Sequence, residues 1–344
     1  MRSVLLVVAL TLGLVPAKAE TVAEFYKAKQ ITIIVGYGTG GAYDLYARLL
    51  SRHMGQFLPE NPKILVQNMP GAGSLRAANY LYSVAPADGS SFGIFARPMA
   101  LLAALGTNTA VQFDPRRFTW IGSASNYQED AYLFFVRPDA TITTVAQVRA
   151  KGPAPLVVGG TAQGASGNDV PILLRDVLNF NIKIVPGYQD ANELYLAVDR
   201  KEVDSRATDL SGVKSGHPVW LDKKDGMRIL VQLGRETRHP DYPDVPTARE
   251  LAGDDMSRSI IETFEIPYLM SRPFAAPPGV PADRAKALRE AFLKTLEDKN
   301  AIAEATQMGL GITPVSGEAV LALVDKIYAA PPSALDYLRK IMKD

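Results

Sequence analysis

"VGYGTGGAYD", residues 35–44, closes the apolar run "ITIIV" and opens an amphipathic stretch. Beyond it Leu45, Leu49, Leu50, Met54 and Phe57 fall near one helical face while Arg48, Arg52 and Gln56 lie off it. That is the spacing of a helix half-buried over a sheet. Strand, glycine turn and helix in this order make the opening of a βαβ unit. Glycines at such a turn allow positive φ and a close backbone approach to a ligand. The first N–H groups of the helix have no intrahelical acceptor. Their alignment with the helix dipole favours an anion there, a carboxylate as readily as a phosphate.

Gly36, Gly38 and Gly41 also spell the G-x-G-x-x-G of dinucleotide sites. That fingerprint needs an acidic group roughly 20 residues further on for the ribose hydroxyls. The next strand, "KILVQN", ends in Asn68 instead. The loop therefore reads as an anion-holding helix start and not as a nucleotide site. A second loop has the same construction: "PLVVGGTAQGASGND", residues 155–169, runs from an apolar strand through Gly159, Gly160, Gly164 and Gly167 into "PILLRDVLNF". In parallel α/β sheets ligands collect outside the carboxyl ends of strands, so the two loops are expected to face each other across a cleft.

The same alternation continues along the chain. "SFGIFA", "YLFFV", "IKIV" and "MRILVQL" join the runs already quoted as expected strands, separated by helical patterns. βαβ units and largely parallel sheets follow. The Pro-rich stretches 239–247 and 272–281 read as rigid connectors before two terminal helices, about 281–308 and 316–329. The chain is expected to recross to its first lobe between those stretches. The expected division is a leader over 1–19, one lobe from 20–122 plus 266–344, and a second lobe from 123–265.

Residues 1–19 read as a cleavable export signal: Arg2, the core "VLLVVALTLGLV", then "AKA" ending at Ala19. The apolar core is short of the roughly 20 residues a spanning helix needs, so no membrane insertion is expected after cleavage. Without Arg2 and Lys18 the 37 basic side chains fall to 35 against 36 acidic ones. No basic footprint for nucleic acid is left. There is no cysteine, so neither disulfides nor thiolate chemistry operate. His53, His217 and His239 lack metal-ligand spacing. No G-x-S-x-G elbow and no triad spacing is present. A metal, a cofactor and a catalytic centre are not expected.

With these residues in hand, the chain resembles the periplasmic solute receptors of tripartite tricarboxylate transporters, the Bug or TctC-like family. Four segments carry the likeness: "GYGTGGAYDLYARLL"; "QNMPGAGSLRAANYLYSVAPADGSSFGIF"; "GGTAQGASG"; and "YPDVPTARELAG" followed by "FAAPPGVPAD". The resemblance implies a class II periplasmic-binding-protein fold, two α/β lobes with a ligand cleft between them. It also implies a monomeric periplasmic receptor that delivers a small organic carboxylate to a membrane permease. A sensory receptor or, less in keeping with the residues, a periplasmic enzyme are the alternatives. Carried over by position, the ligand-binding residues are Tyr37, Thr39, Gly40, Gly41, Ala42 and Asp44 on one side, with Thr161, Gly164, Ala165 and Ser166 opposite. Departures from the family pattern, "GYGTGG" in the first loop, "SGND" after the second and "PGYQDANE" further on, leave the ligand's identity open. Arg97 and Arg206 are both placed to offer a fork to a second carboxylate. Tyr188 and Asp209 are expected at the cleft by family position, with Asn126 and Tyr127 nearby.

Overall fold

The computed structural model describes residues 20–343 apart from 128, 129, 151 and 153. The expected leader lies outside the described residues. Among the described residues eleven strands form two sheets. The first contains β1 (Ile31–Val35), β2 (Ile64–Asn68), β3 (Ser91–Ile94), β4 (Thr119–Ser123), β10 (Pro273–Ala276) and β11 (Val315–Ser316), in the order β11-β4-β10-β3-β1-β2. The second contains β5 (Tyr132–Val136), β6 (Leu156–Gly159), β7 (Ile182–Val185), β8 (Ser205–Asp209) and β9 (Arg228–Leu233), in the order β7-β6-β8-β5-β9.

Each apolar run singled out in the sequence is a strand. β1 lies parallel to both β2 and β3, with Val35 level with Asn68 and Ile94, so three strands end together beside the first glycine loop. β6 likewise runs parallel to β7 and β8. The sheets are mixed, however, and not largely parallel. β10 is antiparallel to β3 and β4, and β5 is antiparallel to β8 and β9. The short edge strand β11 is antiparallel to β4 as well. β10 and β5 are the strands by which the chain arrives from the other sheet, where no βαβ crossover dictates direction.

Two expectations need correction. The stretch 272–281 is no mere connector, because Pro273–Ala276 is β10, buried along its length between β3 and β4. Pro273 is its first residue, a position where a missing N–H is tolerated. The helix expected at 281–308 is two helices, Ala282–Glu297 and Lys299–Gln307. Asp298 has extended backbone (φ −70°, ψ 130°) and its carboxylate caps Asn300 N and Ala301 N, which ends one helix and starts the next. A further helix, Pro332–Ile341, follows the expected Gly317–Tyr328.

The crossovers run side by side. Ser271 N donates to Ser125 O at 3.0 Å, Ala124 N to Arg272 O at 3.1 Å, and Asn126 N to Thr313 Oγ1 at 2.8 Å. An apolar core passes through this junction: Phe95 and Trp120 from the first sheet join one cluster with Tyr127, Tyr132, Phe134 and Tyr268. The last helix ties both halves, with Tyr337 Oη donating to Asp176 O and Arg339 Nε to Leu105 O. No helix among the described residues is long and apolar enough to cross a membrane.

Candidate functional site

The first glycine loop is built by close approach. A Cβ on Gly36 would stand 2.0 Å from Ser74 Oγ, so only glycine lets the 71–74 loop lie against the end of β1. Gly40 has φ +83°, and its N–H donates to Asp44 Oδ2 at 2.9 Å. Asp44 also accepts from Arg48 Nε at 2.8 Å and from Asn68 Nδ2 at 2.9 Å. Burial alone would raise its pKa, but these bonds outweigh it and hold the carboxyl below its ordinary value. Asp44 was expected to touch ligand; it is buried beneath the loop and braces it.

The second loop repeats the device. Gly164 has φ +76° and its N–H donates to Asp169 Oδ1 at 3.1 Å, which also accepts from Asn168 Nδ2 at 3.2 Å. Among the described residues Asp169 has no cationic partner, and burial pushes its carboxyl up to about 7. Gly164 is thus a structural glycine facing Leu102 and Met99 of the first lobe, a correction to its expected place at the ligand.

Both loops open onto one cavity of about 100 Å³. Tyr37, Gly38, Gly40, Gly41, Ala42 and Tyr43 line it from the first lobe, and Thr161, Ala165, Ser166 and Gly167 from the second. The helices that start here, Ala42–His53 and Ser166–Asp176, have Gly41 and Ala165 as N-caps, and neither start is capped by a side chain. Two other helices start at the same cavity, Ala191–Asp199 and Leu210–Gly216, and both are self-capped. Asp190 accepts from Asn192 N and Glu193 N, and Asp209 from Gly212 N. The amide ends left for a guest are therefore those of the two glycine loops, one from each lobe.

Arg97, Arg206 and Asp209 also line the cavity. Asp209, expected as a ligand contact, is already engaged: Oδ1 accepts from Arg272 Nη2 at 2.6 Å and Ser211 Oγ at 2.9 Å, and Oδ2 stands 3.9 Å from Arg97 Nη2. Burial opposes its ionisation, but Arg272 and Arg97 hold its carboxyl well below the ordinary carboxylate range. Arg97 donates Nη1 to Tyr127 Oη at 2.6 Å and Nε to Ser271 O at 3.1 Å. Its guanidinium lies 5.3 Å from the ring centres of Tyr127, Tyr132 and Tyr268. Asn126 and Tyr127 are therefore parts of the junction and not of the cavity wall.

Thr39 and Tyr188 do not reach the lining. Thr39 is exposed, between two glycines that do. Sequence reasoning missed Tyr43, Tyr132, Asp190, Ala191, Asn192, Tyr195 and Thr208, all on the wall. For the 190–192 group a signal existed, since "DANE" is a helix start with an aspartate cap. Tyr132 and Thr208 carried none, being strand residues whose facing side depends on the sheet around them. The three histidines lie apart: His53 pairs with Glu304 at 2.6 Å, His217 stacks on Tyr195, and His239 Nδ1 accepts from Asp241 N.

No protein-family model matches the chain. Among curated proteins it is 24% identical over 301 residues to a UPF0065 protein of Cupriavidus necator, covering 84% of this chain and 81% of that one. It is 29% identical over 349 residues to a UPF0065 protein of Agrobacterium vitis, covering 98% and 87%. Among solved structures it superposes on the periplasmic binding protein BugD with a TM-score of 0.70 at 19% identity, covering 91% of this chain and 98% of that one. MatC of Rhodopseudomonas palustris, solved with bound malate, gives 0.68 at 19% identity over 92% and 99%. An R. palustris protein solved with adipate gives 0.69 at 20% identity over 92% and 97%.

Two mixed sheets with a cavity between them, matched over nine-tenths of the chain, define a two-lobed periplasmic-binding-protein fold. Within that class the fold is the one shared by the Bug- and TctC-type proteins, and the resemblance carried by the four motifs stands.

Proposed function

We propose that the protein is a periplasmic receptor that binds a small organic carboxylate between its lobes and delivers it to the permease of a tripartite transporter. The observation that carries this reading is the pair of helix starts at Gly41 and Ala165, neither capped by a side chain, on one cavity while the neighbouring starts are sealed by Asp190 and Asp209. Malate and adipate in the structural neighbours support a carboxylate as the guest. The lobes, taken as 20–122 plus 266–344 and 123–265, close on the ligand. Differential contact with the closed form drives that equilibrium, and the closed form is what the membrane partner reads. The receptor acts as a monomer after removal of residues 1–19, without cofactor or turnover.

A Gly41 substitution tests the placement. A Cβ there would meet nothing within 4 Å and φ is −79°, so Gly41→Leu should fold normally while obstructing the amide ends. A thermal-shift screen over mono- and dicarboxylates, amino acids and neutral compounds identifies the guest, because a ligand of the native state raises Tm by mass action. Gly41→Leu should abolish that shift, and Thr39→Ala, off the lining, should preserve it. Unchanged affinity in Gly41→Leu refutes the placement; conversion of the guest, followed by chromatography, refutes the receptor role.

A further inference from the structure

Of the two cavity arginines, only Arg97 has a carboxylate within 4 Å among the described residues, and it shares that group with Arg272. Arg97 has Asp209 at 3.9 Å, a tyrosine hydroxyl and a carbonyl. Arg206 sits on β8 in the middle of the second sheet and is 2% exposed. Its Nη1 donates to Ala191 O at 2.8 Å. Its Nε has no acceptor among the described residues, and among them it forms no ion pair. The carboxylates on the cavity wall do not serve it, since Asp190 is turned to helix amides and Asp209 to Arg272. A buried guanidinium without a counter-charge is costly.

The side chain is also held in place. Its guanidinium lies 4.0 Å from the centre of the Tyr195 ring, and the His217 ring stacks on that same ring at 3.9 Å and 13°. Two planar groups this close to one ring must occupy opposite faces, so Tyr195 is clamped and fixes Arg206 in turn. Burial keeps the His217 imidazole below its ordinary value, so at neutral pH it adds no second cation. Thr208, two residues along β8 and on the same face, also lines the cavity.

We propose that Arg206 is the specificity-determining residue of the receptor, receiving a second acidic group of a ligand whose first carboxylate sits on the helix starts at Gly41 and Ala165. The inference rests on the receptor reading and narrows it: the ligand is a dianion, its distal group a carboxylate or a sulfonate. A planar guanidinium binds such groups through paired N–H donors.

The test is titration calorimetry with matched pairs differing only in the distal acid: succinate and butyrate, adipate and hexanoate, phthalate and benzoate, with 3-sulfopropionate to separate sulfonate from carboxylate. The wild-type protein should prefer the diacid in at least one pair. Arg206→Met, which keeps an apolar stem against Tyr195, should weaken that diacid about 10- to 100-fold and change its monoacid less than about twofold. Arg206→Lys should fall between. Trp220, in contact with Tyr195, reports by its fluorescence whether the variants keep the local packing. Equal loss for diacid and monoacid, or no loss for either, overturns the role of Arg206 while leaving the receptor reading intact. No heat with any acid for the wild-type protein overturns both.

Discussion

Replacing Asp209 with asparagine removes one charge and almost no volume, from the point where the lobes are tied electrostatically. Asp209 ends β8 of the second sheet, and Arg272 immediately precedes β10 of the first. The Arg272 side chain is 0% exposed and that of Asp209 13%. Asparagine still caps a helix about as well as aspartate, so the bond from Gly212 N survives and the loss is the ion pair itself. Removing one partner of a buried pair costs about 3–5 kcal/mol, because the other charge stays buried. Here Arg272 would keep the asparagine amide oxygen, the Ser271 carbonyl and the Ser211 hydroxyl as neutral acceptors, so the expected cost is about 3 kcal/mol, the lower end of that range. Domain stabilities run about 5–15 kcal/mol, and the effect is large on that scale.

The assay is urea unfolding at pH 7 in single-tryptophan backgrounds. Trp120 lies in β4 of the first sheet, and Trp220 packs on Phe135 of the second. Because the pair joins the two sheets, Asp209→Asn should lower the midpoint seen by both reporters. The pH dependence follows from sign. The folded carboxyl is held well below its unfolded value, so its contribution is full above the unfolded pKa of about 3.9 and is lost as pH falls through the folded value. The gap between wild type and variant should hold from pH 5 to 8 and close only in strong acid. A change below about 0.5 kcal/mol, the range of an indifferent surface substitution, would refute the view that this cluster holds the lobes together.

Gly164→Ala should act mainly on closure. Its φ of +76° costs an alanine about 1–2 kcal/mol, and the new Cβ would stand 2.6 Å from Leu102 Cδ2 of the opposite lobe. We expect roughly tenfold weaker capture and a larger radius of gyration in X-ray scattering with ligand; unchanged values for both would sink the idea. Asp169→Asn should make stability less dependent on pH. With the folded carboxyl near 7, the wild-type protein is favoured below the unfolded carboxylate value and loses that margin as pH rises to about 7. The asparagine variant should therefore gain on wild type, by an amount on the order of a few kcal/mol, between pH 4 and 8. Identical pH profiles in urea unfolding would show that Asp169 ionises normally.

The strands that sequence reading found are those whose own residues are apolar, and the ones it missed show why others escape. β8, "SRATD", contains serine, arginine, threonine and aspartate, yet four of its five residues are buried. Nothing local marks it as central, because its burial comes from β6 and β5 on either side. β10, "PFAA", is apolar but lies in a proline-rich stretch that reads as a connector. At the site, the glycine loops were legible because a strand-to-helix turn writes its needs in adjacent residues. The roles of Asp44 and Asp169 were not, since an acid in the first helical turn can face a ligand or fold back onto the loop, and only the positive φ at Gly40 and Gly164 turns those N–H groups inward.

By itself, then, the sequence determined the α/β alternation, the two anion-ready turns and the likeness to a receptor family, all properties of neighbouring residues and of short motifs. The tertiary structure alone decided which side chains remain open to a guest. Asp209 is paired with Arg272, 63 residues away, and Arg97 is hydrogen-bonded by Tyr127, 30 residues away, while Arg206 is carried by the sheet into the cavity with no ion-pair partner among the described residues. Whether a charge is matched depends on what folding brings within a few ångströms, and a linear chain does not display that distance.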